Sequence, residues 1–145
     1  LFAPKGRRGV AVGAIAAADH GYAPVSYFEQ ANDALTLLTQ VESPEALVAL
    51  PDILALPDLD GVFLGPNDLS AALGCFRDYE HPLFQEAFAR TRTLTLQSGK
   101  LFGALPFPGQ DADALFAGGA CVVPNGSDQA FLRQGATKLA QEAHT

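Results

Sequence analysis

Gly61-Val62-Phe63-Leu64-Gly65-Pro66-Asn67-Asp68-Leu69-Ser70 is a short apolar strand running into a Gly-Pro loop, which presents one carboxylate, Asp68, just before a new helix. Upstream, Leu37-Leu38-Thr39-Gln40-Val41-Glu42 has the same form and ends on Glu42, just before Ser43-Pro44. Brief apolar runs bounded by turn residues are the pattern of buried strands. In α/β proteins the site is built at the C-terminal ends of such strands, where both carboxylates stand. Hard divalent cations take oxygen ligands of this kind.

Outward from that stretch, apolar runs alternate with segments of helical period, which is the α/β pattern. The runs place strands at roughly Leu35 to Val41, Gly61 to Leu64, Leu101 to Pro106 and Ala120 to Val123. Ser43 is a helix N-cap with Pro44 at the first helical position, and Leu47, Leu50 and Leu54 recur on one face. Pro51 is expected to break or kink that helix, because it lacks an N–H and crowds the preceding turn. A helix from about Pro82 to Ser98 should end at Gly99, in a left-handed C-terminal cap. Ser127 caps the last helix, whose apolar stripe would be Phe131, Leu132, Leu139 and Ala140. The stretch Lys5 to Gly21 has little period and reads as a loop crossing a barrel mouth. Four βα units in a row, without repeats, make half of an eight-stranded barrel or a small open sheet.

Length and composition narrow the function. A chain of 145 residues, 48% of them apolar, has the size and core of one domain. Its net charge of −7 disfavours a nonspecific grip on nucleic acid or an anionic membrane surface. No apolar run approaches a bilayer span and none has the order of a signal peptide. Cys75 and Cys121 stand in no motif spacing, so a cytoplasmic protein with buried or incidental thiols is expected. The sequence contains no Met. A processed or N-terminally truncated chain is therefore expected, with Leu1-Phe2-Ala3-Pro4 reading as mid-protein loop.

Several pieces in order then resemble one family: Pro4-Lys5-Gly6-Arg7-Arg8-Gly9, the segment from Tyr27 to Asp33, Gln40-Val41-Glu42-Ser43, Asp60 to Ser70, His81-Pro82 and Ser98-Gly99-Lys100. Together they resemble the metal-dependent pyruvate aldolases of the HpcH/HpaI family, whose named member cleaves 2,4-dihydroxyhept-2-ene-1,7-dioate. The resemblance covers nearly the whole chain. It implies the C-terminal half of a (β/α)8 TIM barrel of the phosphoenolpyruvate/pyruvate superfamily, one partial domain over residues 1–145 holding strands five to eight. It further implies that Glu42 and Asp68 ligate Mg²⁺, Mn²⁺ or Co²⁺. Gln40 would line the same site, Gly65 and Asn67 would let backbone N–H groups approach the pyruvate carboxylate, and Pro66 would line the substrate beside them. Leu105 would line the aldehyde pocket. The implied reaction is reversible cleavage of a 4-hydroxy-2-keto acid to pyruvate and an aldehyde, in a homo-oligomer that in the family is hexameric. The family's general-base His and enolate-stabilising Arg lie in the N-terminal half, so no catalytic residue is assigned here, and this stretch alone should catalyse little.

Plainer readings stand beside these. Asp68 is equally a helix cap, Glu42 a solvated first-turn acid and Leu105 ordinary core. His81 caps the helix that follows it, and His20 is a surface residue. Arg7 and Arg8 either contact an anionic substrate or anchor their loop by a salt bridge. Val10 to Asp19 lacks the further arginines that the family carries in that loop. Two other functions fit the same elements: an acyl-CoA lyase of the citrate lyase β type, or a non-catalytic, metal-binding half barrel that pairs with itself. The absence of a basic cluster for CoA phosphates disfavours the first.

Overall fold

The structure, a computed structural model, describes every residue from Leu1 to Ala143. The chain forms two compact units, Leu1–Leu37 and Leu38–Thr145.

In the first unit, 3-10 turns at Val12–Ala14 and Ala16–Gly21 lead into helix α1, Pro24–Ala34. Phe2 is its core, packed on Tyr27 and Phe28 of α1 with ring centroids 6.2 and 5.2 Å away. Asn32 clasps the Phe2 backbone, accepting from its N–H at 2.7 Å and donating to its carbonyl at 3.1 Å. Arg8 lies over the Phe2 ring, 4.5 Å from the centroid. The ion pair expected of Arg7 or Arg8 is made by Lys5, whose ammonium meets Asp33 at 2.9 Å. The segment is thus anchored by an aromatic contact and one exposed pair.

The second unit is a parallel three-stranded sheet in the order β1-β2-β3, with β1 at Leu38–Val41, β2 at Gly61–Leu64 and β3 at Leu101–Ala104. The register sets Gln40 beside Phe63, and Phe63 beside Gly103. The sheet's other face carries Val41, Val62, Leu64, Phe102 and Ala104, all fully buried. They pack beneath α2 (Pro44–Leu54) and α4 (Pro82–Gln97), while α3 is Pro66–Ala72, α5 Ala112–Ala117 and α6 Asp128–Glu142. Leu47, Leu50 and Leu54 form the buried face of α2, each worth about 1.5–3 kcal/mol over an exposed position. Thr91 and Thr95 are buried in α4 because their hydroxyls donate to the carbonyls one turn back, at 2.8 and 2.7 Å. Tyr79, Phe84 and Phe107 meet edge to face or tilted, with centroids 5.1 to 5.3 Å apart, and Phe88 joins Phe107 at 5.3 Å. No helix among the described residues is long and apolar enough to cross a membrane.

Several boundaries differ from expectation. Pro51 does not break α2, which runs to Leu54, because burial of Leu50 and Leu54 outweighs one missing hydrogen bond. The first strand starts at Leu38, since Leu35 is the C-cap of α1. The third stops at Ala104: beyond it Phe107 and Gln110 exchange hydrogen bonds across a tight turn. The run Ala120 to Val123 makes only a single bridge, Gly103 to Val122, rather than a strand. No residue of α6 is buried, and Phe131, Leu132 and Leu139 are exposed instead of forming a packed stripe. α4 ends as expected, with Gly99 at φ +75° and the Lys100 amide donating back to Thr95. Cys75 is buried and Cys121 exposed, both as free thiols.

Candidate active site at the strand ends

The β1–β2 ladder continues one step past the strands, where the Gly65 amide donates to the Val41 carbonyl at 3.3 Å. That bond sets Glu42 beside Gly65 at the C-terminal edge of the sheet. A Cβ on Gly65 would stand 3.0 Å from Glu42 Oε2 and 3.9 Å from Asp68 Oδ2, so both carboxylates converge over the bare Cα. Gly65 is buried, Glu42 half-buried and Asp68 exposed. The helix α3 begins at Pro66, so Asp68 lies inside its first turn instead of just before it. Gly65 is the N-cap, and no side chain caps this helix, which removes the plainer role proposed for Asp68. Glu42 precedes the N-cap Ser43, whose hydroxyl accepts from the Ala46 amide at 3.2 Å, so it is not a first-turn acid either. That position belongs to Glu45, whose carboxyl is held below its usual value by its own backbone N–H and then by the Ser43 hydroxyl.

Two hard oxygen donors over a position that a side chain would fill suit a divalent cation of the Mg²⁺ or Mn²⁺ kind. Among the described residues no group of three or more His, Cys, Asp or Glu gathers to hold a metal. A cation held by this pair would therefore keep coordination positions open to other oxygens.

The loop beside the carboxylates is fixed from behind. Ser70 is fully buried; its hydroxyl donates to the Asn67 carbonyl at 2.9 Å and accepts from the Arg77 amide at 3.1 Å. Tyr79 donates its phenolic hydrogen to Asn67 Oδ1 at 2.6 Å, which leaves the Asn67 side-chain NH₂ as the free donor. Because α3 has only seven residues, it offers first-turn amides more than a long dipole.

Pro66, Asn67 and Leu105 share one open cleft of about 530 Å³ with Tyr79, Ser127 and Arg133. Leu105 is 37% exposed, which fits a cleft wall better than core. Gln40 is exposed two positions before Glu42, on the same face by strand alternation, but is not among the residues lining this cleft. His81 caps α4, its Nδ1 accepting from the Leu83 amide at 3.3 Å, and His20 is exposed. Sequence reasoning missed Tyr79, Ser70 and Arg133. The first two act through tertiary hydrogen bonds that leave no spacing signal, whereas Ser127, Ala130 and Arg133 follow helical spacing and were open to detection.

Parallel βα units with paired carboxylates over the strand ends define an α/β protein with an oxygen-donor site at its sheet edge. The chain belongs to the HpcH/HpaI aldolase/citrate lyase family, whose model matches residues 2–134. It is 40% identical over 139 residues to a 4-hydroxy-2-oxo-heptane-1,7-dioate aldolase from Klebsiella pneumoniae, covering 96% of this chain and 52% of that protein. A protein of the same name from Escherichia coli is 37% identical over 139 residues, with 96% and 53% covered. Among solved structures, an HpcH/HpaI aldolase/citrate lyase family protein from Burkholderia cenocepacia superposes with a TM-score of 0.79 at 31% identity, over 98% of this chain and 55% of that one. The chain spans about half the length of the curated relatives it matches.

Proposed function

We propose that these residues form the C-terminal half of a (β/α)8 barrel of the phosphoenolpyruvate/pyruvate superfamily, one partial domain of a divalent-metal-dependent aldolase. The whole protein reversibly cleaves a 4-hydroxy-2-keto acid to pyruvate and an aldehyde, as a cytoplasmic homo-oligomer. The observation that carries this reading is the convergence of Glu42 and Asp68 oxygens over Gly65. The names of the curated relatives support the same chemistry.

Glu42 and Asp68 hold the Mg²⁺, Mn²⁺ or Co²⁺ ion. When bound, such an ion supplies Lewis-acid polarisation of a keto oxygen. The Asn67 NH₂ and the first-turn amides after Gly65 and Pro66 orient the pyruvate carboxylate, with Asn67 held in place by Tyr79 and Ser70. Gln40 borders the site from the same strand face as Glu42, and Leu105 shields the aldehyde side from water. In the synthetic direction the pyruvate methyl gives up a proton, and the carbon so freed bonds to the aldehyde carbon, whose oxygen takes a proton. The group moving the methyl proton is a general-base His of the N-terminal half, and an Arg of that half stabilises the enolate charge. The test is exchange of pyruvate methyl protons in D₂O, followed by NMR, for the protein made from its full coding sequence with Mn²⁺ or Mg²⁺. Metal-dependent loss of the methyl signal is expected; no exchange above the metal-only control refutes the reading.

A further inference from the structure

Among the described residues that line the strand-end cleft, Arg133 is the one with a charge. In a chain of net charge −7 an arginine facing a cleft, with no carboxylate in the lining, is a feature in need of a cause. Its place is fixed by α6: Ser127, Ala130 and Arg133 recur at helical spacing and line the same cleft as Asn67 and Leu105. The ion pairs given by the structure join Lys5 to Asp33 and Lys138 to Glu142, so among the described residues no carboxylate is paired with this guanidinium. Ser127 already accepts from the Ala130 amide at 3.1 Å, which leaves its hydroxyl hydrogen to donate. The cleft thus combines neutral hydrogen-bond donors from the loop, apolar Leu105 and Pro106, and a cation with a hydroxyl donor from α6.

We propose that Arg133 selects the acceptor, holding an anionic group at the end of the aldehyde remote from its carbonyl. This rests on the aldolase reading above and adds to it the residue that sets acceptor preference. A guanidinium gives a terminal carboxylate or phosphate two parallel charge-assisted bonds, which a neutral aldehyde of equal length cannot receive. Arg133 is a binding residue for the acceptor tail and takes no part in the proton transfers.

The test is aldol addition of pyruvate, with Mn²⁺, to butanal, 4-oxobutanoate and glyceraldehyde 3-phosphate, using the protein from its full coding sequence and its Arg133→Leu, Arg133→Gln and Arg133→Lys variants. The expected result is a fall of about tenfold in the ratio of kcat/KM for the anionic aldehydes over butanal in Arg133→Leu and Arg133→Gln, carried by KM, with partial recovery in Arg133→Lys. Whichever anionic aldehyde loses more identifies carboxylate or phosphate as the tail. α6 buries no residue, so these variants should fold, and thermal melting checks that they do. A ratio within about twofold of wild type in both neutral variants overturns the assignment. If wild type exchanges pyruvate methyl protons and the ratio does not move, only the role of Arg133 falls; if wild type exchanges none, the aldolase reading falls and takes this inference with it.

Discussion

Replacing Gly65 with alanine separates the needs of the fold from those of the proposed cation site. The backbone at Gly65, φ −91° and ψ 95°, is open to any L-residue, so alanine adds no torsional strain. Loss of glycine's freedom in the unfolded chain favours the folded state by about 0.4–1 kcal/mol. Against that, the new methyl would lie 3.0 Å from Glu42 Oε2 and 3.3 Å from Glu42 Cβ. Turning the end of the Glu42 side chain relieves the first contact, and the second needs the Glu42 and Gly65 backbones to part by a few tenths of an ångström, a modest cost to the fold. The two terms nearly cancel, and the midpoint of urea unfolding should move by less than about 1 kcal/mol equivalent. The ligand geometry does not cancel, because the displaced group is the carboxylate itself. Mn²⁺ affinity, measured by calorimetric titration, should drop about 10- to 100-fold, the effect of misorienting a ligand. Equal stability together with Mn²⁺ affinity within about twofold of wild type would mean that the oxygens over Gly65 share no cation.

Three further outcomes are expected. Phe84→Ala should cost about 3–5 kcal/mol in urea unfolding, since the ring is fully buried against Tyr79 and Phe107; a loss under about 1 kcal/mol would contradict the packing. Glu45 titrates below its usual value of 4.5, so the stability it contributes is present above that pH and lost as pH falls through its lowered folded value. Ser43→Ala should move the Glu45 carboxyl titration, read by ¹³C shift, back upward and cost about 1 kcal/mol of capping; an unmoved titration removes Ser43 as a cause. Tyr79→Phe should cost about 0.5–1.5 kcal/mol and raise KM for pyruvate more than it lowers kcat, while an unchanged Asn67 side-chain NH₂ resonance would show that the phenol does not orient it.

How much of this was legible in sequence depended on the range of the interaction. Glu42, Gly65 and Asp68 were readable because strand ends and loop chemistry are local, and the parallel sheet then brings such ends together. Ser43, His81 and Gly99 were readable as caps for the same reason. Of the break or kink expected at Pro51, the break is absent: local propensity predicts it, whereas the burial of Leu50 and Leu54 that outweighs it is tertiary. The segment around Val122 has a strand's composition but makes only one bridge, since register and partners cannot be seen in composition. Phe131, Leu132 and Leu139 carry helical period yet are exposed, because periodicity reports which face is apolar and not whether anything covers it.

Tyr79, Phe84, Phe88 and Phe107 are buried, while Leu105, Asn125, Ser127 and Arg133 stand exposed along the cleft. The residues that keep the unit folded and those exposed along the cleft are therefore largely different sets, joined at Tyr79 and Pro66. If the aldolase proposed above is the parent, laboratory evolution restricted to the exposed set can explore new acceptors while most of its library stays folded. Randomising Tyr79 would couple every gain in selectivity to a change in packing.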